Sequence, residues 1–242
     1  GKGGVGKSTV SVSLAVAMAK TGAKVGLLDT DIYGPSIPIM MGVTEKPEIR
    51  GEKLIPIVKY GVSLMSIGFM IPEDTPLIWR GPMVMKAVEQ LLTDVEWGEI
   101  DYLLMDLPPG TGDVQLTLSQ KVPLTGAVIV TTPQDVALLD VVRGISMFRK
   151  LNVPILGVVE NMSFFSCPHC GGRSDIFSHG GGKTASEKLE VPFLGEVPID
   201  LKIREGGDAG RPVTADDSAS PQSRVFMSLG EQLAARISAL GS

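Results

Sequence analysis

The stretch that decides the fold is Gly1-Lys2-Gly3-Gly4-Val5-Gly6-Lys7-Ser8, at the start of the sequence. Its spacing, a glycine followed after four residues by Gly-Lys-Ser, is typical of a loop whose backbone N–H groups surround phosphate oxygens. The small and apolar residues that follow predict a helix over Thr9–Lys20, whose positive end adds to the attraction for an anion. A chance glycine-rich turn would rarely combine these eight residues with a helix start. The stretch therefore predicts a phosphate-binding P-loop.

The residues of this loop have separate predicted tasks. Those expected to contact a nucleotide are Gly3, Gly4, Val5, Gly6, Lys7, Ser8 and Thr9. The amine of Lys7 is expected to reach the β- and γ-phosphates, the hydroxyl of Ser8 to hold Mg²⁺, and Thr9 to serve the α-phosphate. Lys2 is a second lysine just after the first glycine, and nucleotide binding within one subunit does not need it.

The composition is that of a globular protein with a sizeable core. The 242 residues are 43% hydrophobic and 20% charged, which is ordinary for such proteins. The net charge of −5 argues against a nucleic-acid-binding surface, which needs clustered Lys and Arg. The sequence contains no run of about 18 apolar residues, so no membrane-spanning helix is expected. We expect neither nucleic acid nor membrane among the partners.

Short apolar segments alternate with amphipathic ones along the chain, which is typical of βαβ units around a mostly parallel sheet. The predicted strands are Ala23–Leu28, Tyr102–Met105, Ala127–Thr131, Ile155–Val159 and Phe193–Val197. The further predicted helices are Pro82–Leu92, Val136–Lys150, Lys183–Leu189 and Pro221–Ala239. The stretch Pro35–Ile78 is richer in Pro and Gly and is interpreted as an insertion with short strands.

These elements predict one domain over residues 1–242, with an α/β fold built on a doubly wound, mostly parallel sheet. A phosphate-binding loop of this kind follows a strand, and the sequence starts at the first glycine of the loop. The first strand is therefore expected upstream of residue 1.

Acidic residues follow two of the predicted strands: Asp29 and Asp31 follow one, and Asp106 follows another. Because ligands of open α/β sheets collect at the carboxyl ends of the strands, both acidic sites should face the nucleotide. Asp106 is expected to hold Mg²⁺ through a water, and Asp31 to position the attacking water. Asp29 also fits a plain turn-forming role. The candidate catalytic residues are Lys2, Lys7 and Asp31.

Two further segments are candidates for nucleotide contacts. The flexible turn after Asp106 contains Gly110, whose backbone N–H is expected to sense the γ-phosphate. Asn161 follows a strand and offers both a donor and an acceptor to an adenine edge, and Pro198 and Asp200 are expected to line the base. An Asn-Lys-x-Asp motif for guanine is missing from the sequence, which favours ATP over GTP.

The two cysteines, Cys167 and Cys170, form a C-x-x-C pair followed by two glycines. A pair at this spacing is typical of a knuckle that binds one metal through both sulfurs. Tetrahedral zinc and cubane clusters need four ligands, so either His169 and His179 complete the set or a second subunit does. A thioredoxin-like redox pair usually opens a helix, whereas this pair lies in a predicted loop.

The chain resembles the Mrp/ApbC/Ind family of deviant Walker A P-loop ATPases, in the MinD and nitrogenase-iron-protein class. The motifs are G-K-G-G-V-G-K-S-T, L-L-D-T-D-I-Y-G-P-S, W-R-G-P-M, M-D-L-P-P-G-T-G-D, T-T-P-Q-D-V-A, V-E-N-M-S with C-P-H-C, and V-P-I-D. They extend from Gly1 to about Pro212. The resemblance implies a homodimeric ATPase in which Lys2 crosses to the nucleotide of the partner subunit. It also implies a labile 4Fe–4S cluster at the dimer interface, bound by Cys167 and Cys170 and passed to apo-proteins.

Other functions fit the sequence less well. A spatial-organising ATPase similar to MinD or ParA, with a structural zinc site, would need a basic amphipathic or DNA-binding surface. The tail over residues 230–237 has only one Arg and one Glu. A reductase similar to the nitrogenase iron protein would carry its cysteines far apart. Zinc remains the alternative metal, and we expect a cytoplasmic protein, with the mitochondrial matrix as the alternative location.

Overall fold

The structure is a computed structural model that describes residues 3–32, 34–70, 81–110, 113–167, 169–216 and 219–241. Its helices are α1 (Lys7–Lys20), α2 (Ile37–Met40), α3 (Gly81–Thr93), α4 (Asp113–Lys121), α5 (Asp135–Lys150), α6 (Gly181–Lys188), α7 (Leu201–Asp208) and α8 (Pro221–Leu240), with a 3-10 helix at Ile67–Met70. Its strands are β1 (Val25–Asp29), β2 (Ile49–Arg50), β3 (Lys53–Leu54), β4 (Ile57–Lys59), β5 (Val62–Ser66), β6 (Tyr102–Asp106), β7 (Ala127–Thr131), β8 (Ile155–Glu160), β9 (Phe165–Ser166), β10 (Arg173–Ser174) and β11 (Phe193–Glu196). Across these ranges, no helix combines the length and the apolar character needed to cross a membrane.

Two sheets form the centre of the fold. One has the strand order β4-β5-β1-β6, in which β1 runs parallel to β5 and β6 while β4 is antiparallel. The other has the order β11-β8-β7 and is parallel throughout. Strand β1 is buried along its whole length, as expected for a parallel strand covered on both faces. The predicted α/β class with a mostly parallel sheet is confirmed.

Helix α1 carries the phosphate-binding loop and lies at the centre of the packing. Every residue from Val12 to Met18 is buried, because α1 packs on β1 and β6 with one face and on α8 with another. Gly230 allows α8 to approach closely, since a Cβ at this position would lie 3.2 Å from Cγ of Met18. Helix α1 begins at Lys7, two residues earlier than predicted, so its amino end lies directly on the loop.

An apolar cavity of about 370 Å³ lies between the two sheets. Strands β6 and β7 are the outer strands of their sheets, and both contribute to its lining together with α1 and α8. The lining includes Leu14, Leu104, Val128 and Leu233. The predicted strand before the phosphate-binding loop stays a prediction.

The segment Pro35–Ile78 supplies more of the fold than an insertion would. Strand β5 pairs with β1 in register, from Val62 opposite Val25 to Ser66 opposite Asp29. The interpretation of this segment as an insertion is therefore wrong at β5. The two serines in Val-Ser-Leu-Met-Ser make this segment look too polar for a core strand. Ser66 is nevertheless buried, because its hydroxyl donates a hydrogen bond to Asp29. Helices α4 and α7 and the β9–β10 hairpin also lie outside the predicted elements.

Candidate functional site

The carboxyl ends of β5, β1 and β6 lie side by side at one edge of the sheet. Their last residues, Ser66, Asp29 and Asp106, are in register and buried. Asp29 accepts a hydrogen bond from Ser66 Oγ at 3.0 Å and another from the backbone N–H of Asp31 at 3.1 Å. The parallel register therefore places the two buried aspartates at the carboxyl ends of neighbouring strands.

Helix α1 holds the carboxylate of Asp106. Ser8 Oγ donates to Asp106 Oδ2 at 2.5 Å, and Ser11 Oγ donates to Oδ1 at 2.9 Å. Thr30 Oγ1 donates to the backbone carbonyl of Asp106 at 2.7 Å. Ser8 is among the predicted residues, whereas Ser11 and Thr30 are not. The spacing of Ser11, three residues after Ser8 on the same helix face, is the signal that would have identified it.

The phosphate-binding loop requires glycine at two positions. Gly4 and Gly6 have φ angles of 84° and 81°, in the left-handed region that favours glycine. Gly6 also lacks room for a side chain, because a Cβ there would overlap the side-chain amide of Asn161. That amide donates from Nδ2 to the carbonyl of Val5 at 2.9 Å. Lys2, predicted to reach a partner subunit, lies outside the described residues.

Burial sets the charge balance of this site. Burial raises the pKa of Asp106. The hydrogen bonds from Ser8 and Ser11 and the charge of Lys7 act in the opposite direction and lower this pKa. Burial lowers the pKa of Lys7, and the carboxylates of Asp106 and Asp31 act in the opposite direction and raise it. Burial likewise raises the pKa of Asp29 to about 7. The predicted catalytic pair Lys7 and Asp31 is therefore brought within electrostatic reach of one another beside Asp106.

The oxygen atoms of this site fit Mg²⁺. A hard cation prefers carboxylate and hydroxyl oxygens, and Ser8 Oγ and Asp106 Oδ2 supply both within 2.5 Å of each other. A divalent cation at this point would favour the charged carboxylate that burial disfavours. Ser8 and Asp106 are the residues that would hold the ion.

The turn after β6 is supported by α4. Gln115 is buried, and its Nε2 donates to the carbonyl of Pro108. Gly110 has a φ angle of 94°, which suits glycine. Residues 111 and 112 lie outside the described residues, and the γ-phosphate contact of Gly110 stays a prediction. Gln115 was missed because its partner is a backbone carbonyl, which no sequence motif marks.

The residues predicted to face adenine lie at the carboxyl ends of β8 and β11. Asn161 follows β8, and Pro198 follows β11. Asp200 caps α7: its Oδ1 accepts from the backbone N–H of Lys202 at 2.7 Å and its Oδ2 from Gln222 Nε2 at 2.6 Å. Both carboxylate oxygens of Asp200 thus have partners within the protein. The adenine contacts of Asn161, Pro198 and Asp200 stay predictions.

The cysteine pair lies at the tip of the β9–β10 hairpin. The backbone N–H of Cys167 donates to Gly172 O at 2.9 Å, and that of Gly171 donates to Cys167 O at 2.8 Å. Backbone N–H groups of His169 and Cys170 point at the Cys167 sulfur and lower the pKa of its thiol. Cys170 is exposed and Cys167 half-buried. A turn that directs N–H groups at a sulfur favours the thiolate, which is the form that binds metals.

A single protomer offers two thiol ligands at this tip. Within the described ranges, no group of three or more neighbouring His, Cys, Asp or Glu side chains includes Cys167 or Cys170. The group of three that does occur is Glu160, His179 and Glu196. His179 Nδ1 lies 2.6 Å from a guanidinium nitrogen of Arg173. The alternative in which His169 and His179 complete the cysteine site therefore finds no support in the geometry.

Comparison with protein families matches residues 1–234 to the ParA family model described as NUBPL iron-transfer P-loop NTPase. The chain belongs to this family. The chain is also similar to curated proteins of other organisms across most of its length. The iron-sulfur cluster transfer protein NUBPL of Dictyostelium discoideum is 53% identical over 235 residues, covering 96% of this chain and 73% of the relative. The Arabidopsis thaliana iron-sulfur protein required for NADH dehydrogenase, mitochondrial, is 52% identical, covering 96% and 75%.

Solved structures show the same fold. The chain matches a nucleotide-binding protein of Archaeoglobus fulgidus, solved in complex with ADP, with a TM-score of 0.78 and 42% identity, covering 87% of this chain and 84% of that one. It matches the cell division ATPase MinD of Pyrococcus furiosus with a TM-score of 0.73 and 25% identity, covering 97% and 95%. These matches confirm the predicted family and the predicted MinD-class fold.

Proposed function

We propose that this protein is an ATP-dependent carrier of iron–sulfur clusters, which holds a labile 4Fe–4S cluster between two copies of the chain and passes it to apo-proteins. The cluster is cargo, so its site must be accessible from the surface. The exposed Cys170 at the tip of a short hairpin meets that requirement. The Dictyostelium relative is named an iron-sulfur cluster transfer protein, which supports the same cargo.

The observation that carries this proposal is the count of ligands at the hairpin tip. A cubane cluster is held by four thiolates, and one protomer supplies two, with no third neighbouring ligand among the described residues. Two copies related by a two-fold axis would supply four equivalent thiolates. The homodimer follows from this count as part of the proposal, and the crossing of Lys2 to the nucleotide of the partner is proposed from the family resemblance.

The proposed fuel is ATP with Mg²⁺. Lys7 would neutralise charge on the β- and γ-phosphates, Ser8 and Asp106 would hold the ion, and Asp31 would orient the attacking water. Bound Mg²⁺ would neutralise phosphate charge during hydrolysis. The buried carboxylates and the half-buried amine of Lys7 support this assignment, because electrostatic interactions between such groups are little screened by water. We place the protein in the cytoplasm, with the mitochondrial matrix as the alternative, since the named Arabidopsis relative is described as mitochondrial.

Anaerobic iron and sulfide analysis after reconstitution tests the cargo. We expect about four iron atoms per dimer, lost in both Cys167→Ala and Cys170→Ala. His169→Ala is the matched control, since it alters the same turn but keeps both thiols, and it should retain its iron. One zinc and no iron per dimer would overturn the carrier function and leave the nucleotide site intact.

Transfer assays test the ATP dependence. Cluster transfer to an apo-ferredoxin should be faster with MgATP than without it, and Lys7→Ala should remove the difference. Lys183→Ala, an exposed lysine on α6, is the control for loss of a positive charge. Equal transfer rates with and without a functional Lys7 would contradict the role of ATP while leaving the cluster site in place.

A further inference from the structure

The strand that contacts the phosphate-binding loop leads directly into the cysteine hairpin. Strand β8 ends at Glu160, and the next residue, Asn161, donates its buried amide to the carbonyl of Val5 at 2.9 Å. Cys167 follows only six residues later. The residues 161–166, named here the connecting segment, therefore link the nucleotide site and the thiols within one protomer.

The contact at the loop end of the connecting segment is tight. A Cβ on Gly6 would overlap the Asn161 amide and would lie 3.7 Å from Cε of Met162. Met162 itself has a φ angle of 55°, a left-handed conformation that is strained for a residue with a side chain and persists only where its surroundings enforce it. A shift of Val5 or Gly6 would therefore displace Asn161 and Met162.

The rest of the connecting segment is fixed to neighbouring strands and turns. The backbone N–H of Ser163 donates to Val197 O at 3.0 Å, and its buried hydroxyl donates to Glu160 Oε1 at 2.6 Å. The N–H of Ile199 donates to Phe164 O at 2.7 Å. With its backbone held at two successive residues, the segment has little slack to absorb a displacement.

Arg173 fastens the hairpin to the far end of the connecting segment. Its guanidinium carbon lies 4.1 Å from the centre of the Phe164 ring, a cation–π contact. The same guanidinium lies 3.6 Å from Glu196 Oε2 and bonds Asp175 at 2.9 Å. Arg173 is three residues after Cys170, so the returning arm of the hairpin is tied to the segment that leads into it.

We propose that the connecting segment couples nucleotide binding at the phosphate-binding loop to the exposure of Cys167 and Cys170 in the same protomer, with Asn161 and Arg173 as positioning residues at its two ends. Ordering of the loop by phosphates restrains Val5, and through Asn161 it restrains the hairpin, which lowers the fraction of time the thiols are open to reagents. The inference rests on the proposed function only in assigning ATP to the loop, and it requires no cluster.

The test uses the full chain, reduced and free of metal. Iodoacetamide labelling of Cys167 and Cys170 is followed by mass spectrometry, with and without Mg²⁺ and AMP-PNP, and nucleotide affinity is measured by calorimetry. We expect nucleotide to slow labelling by roughly five-fold or more in the wild type. Asn161→Asp, which removes the amide donor, and Arg173→Gln should each lose this difference. Arg173 is half-exposed, and its side chain contacts Phe164, Asp175, His179 and Glu196, none of which is proposed to bind nucleotide, so Arg173→Gln should bind AMP-PNP like the wild type.

The matched control is Arg211→Gln, which removes an exposed arginine paired with Asp216 at 3.0 Å, away from the connecting segment, and should keep the full nucleotide effect. A wild type that binds AMP-PNP without a change in labelling would overturn the coupling and leave the proposed function standing. A full nucleotide effect in Arg173→Gln would also overturn it, whatever Asn161→Asp does to affinity. Absence of nucleotide binding in the wild type would overturn the coupling and the proposed function together.

Discussion

The nucleotide site and the cysteine hairpin are built in opposite ways. The first is assembled from the buried ends of three strands in register, and its aspartates are fixed by hydrogen bonds from distant parts of the chain. The second is a tip between two strands of two residues each, with Cys170 exposed. Charged groups that would act on a nucleotide are therefore held in the protein interior, whereas the candidate cargo site lies on the surface, where a bound cluster could be transferred.

The largest effect should follow from loss of the loop lysine. We expect Lys7→Ala to lower the rate of ATP hydrolysis by about two to three orders of magnitude, because it removes a preorganised positive charge from the phosphates. Iron bound at the hairpin after reconstitution should not fall. Phosphate release and iron content, measured on the same preparation, check this separation, and a parallel loss of iron would break the contrast between the two regions.

Asp29 should make the free energy of unfolding depend on pH. Its folded pKa of about 7 lies above the ordinary value of 3.8, so the folded state keeps a proton that the unfolded state releases. Stability from this group is therefore present below about pH 4 and is lost as the pH rises to 7. Asp29→Asn should be more stable than the wild type by about 2–4 kcal/mol at pH 8. The gain should shrink towards pH 5.

Urea unfolding of the nucleotide-free protein at several pH values measures this difference. The asparagine has the same shape: its oxygen can accept from the Asp31 N–H, and its NH2 group can donate to the Ser66 hydroxyl, so packing changes little. A gain that is the same at pH 5 and pH 8 would mean that Asp29 is charged in the folded protein at both.

Substitutions at two glycines of the loop distinguish the cost of backbone strain from the cost of steric overlap. Gly4→Ala should lower the free energy of unfolding by about 1–2 kcal/mol, because alanine is disfavoured at a φ of 84° and nothing else lies within 4 Å of its Cβ. Gly6→Ala should cost about 2–3 kcal/mol, because the same strain is joined by overlap with the Asn161 amide. Thermal and urea denaturation measure both, and equal losses would argue against tight contact between the loop and Asn161.

The smallest effect on stability should come from the hairpin tip. Cys170→Ser should change the free energy of unfolding of the metal-free protein by less than about 0.5 kcal/mol, as expected of an exposed side chain, while abolishing cluster binding. Ser66→Ala offers the contrast in the buried region, where loss of the hydrogen bond to Asp29 should cost about 1–3 kcal/mol. A large loss of stability in Cys170→Ser would show that the tip supports the fold as well as the cargo.

The sequence predicts some features of the nucleotide site and the cysteine hairpin and leaves others unpredicted. The loop, Asp106 and the cysteine turn could be identified because each rests on local spacing, and the family match confirms the family to which that spacing belongs. Asn161 was assigned to adenine, and its bond to Val5 was not foreseen because the two residues are 156 positions apart. Strand β5 escaped recognition because the half-buried Ser63 and the buried Ser66 interrupt its apolar pattern. The capping role of Asp200 was not predicted because a helix cap and a ligand contact use the same residue type.

The packing of α1 against α8 has a consequence for synthesis of the chain. The helix that carries the phosphate-binding loop, at residues 7–20, is synthesised before the helix at residues 221–240 that covers one of its faces. At the usual pace of translation, roughly 10–40 s separate the two. During that interval the face of α1 that packs on α8 has no native cover, so apolar surface of the nascent chain stays exposed until α8 emerges.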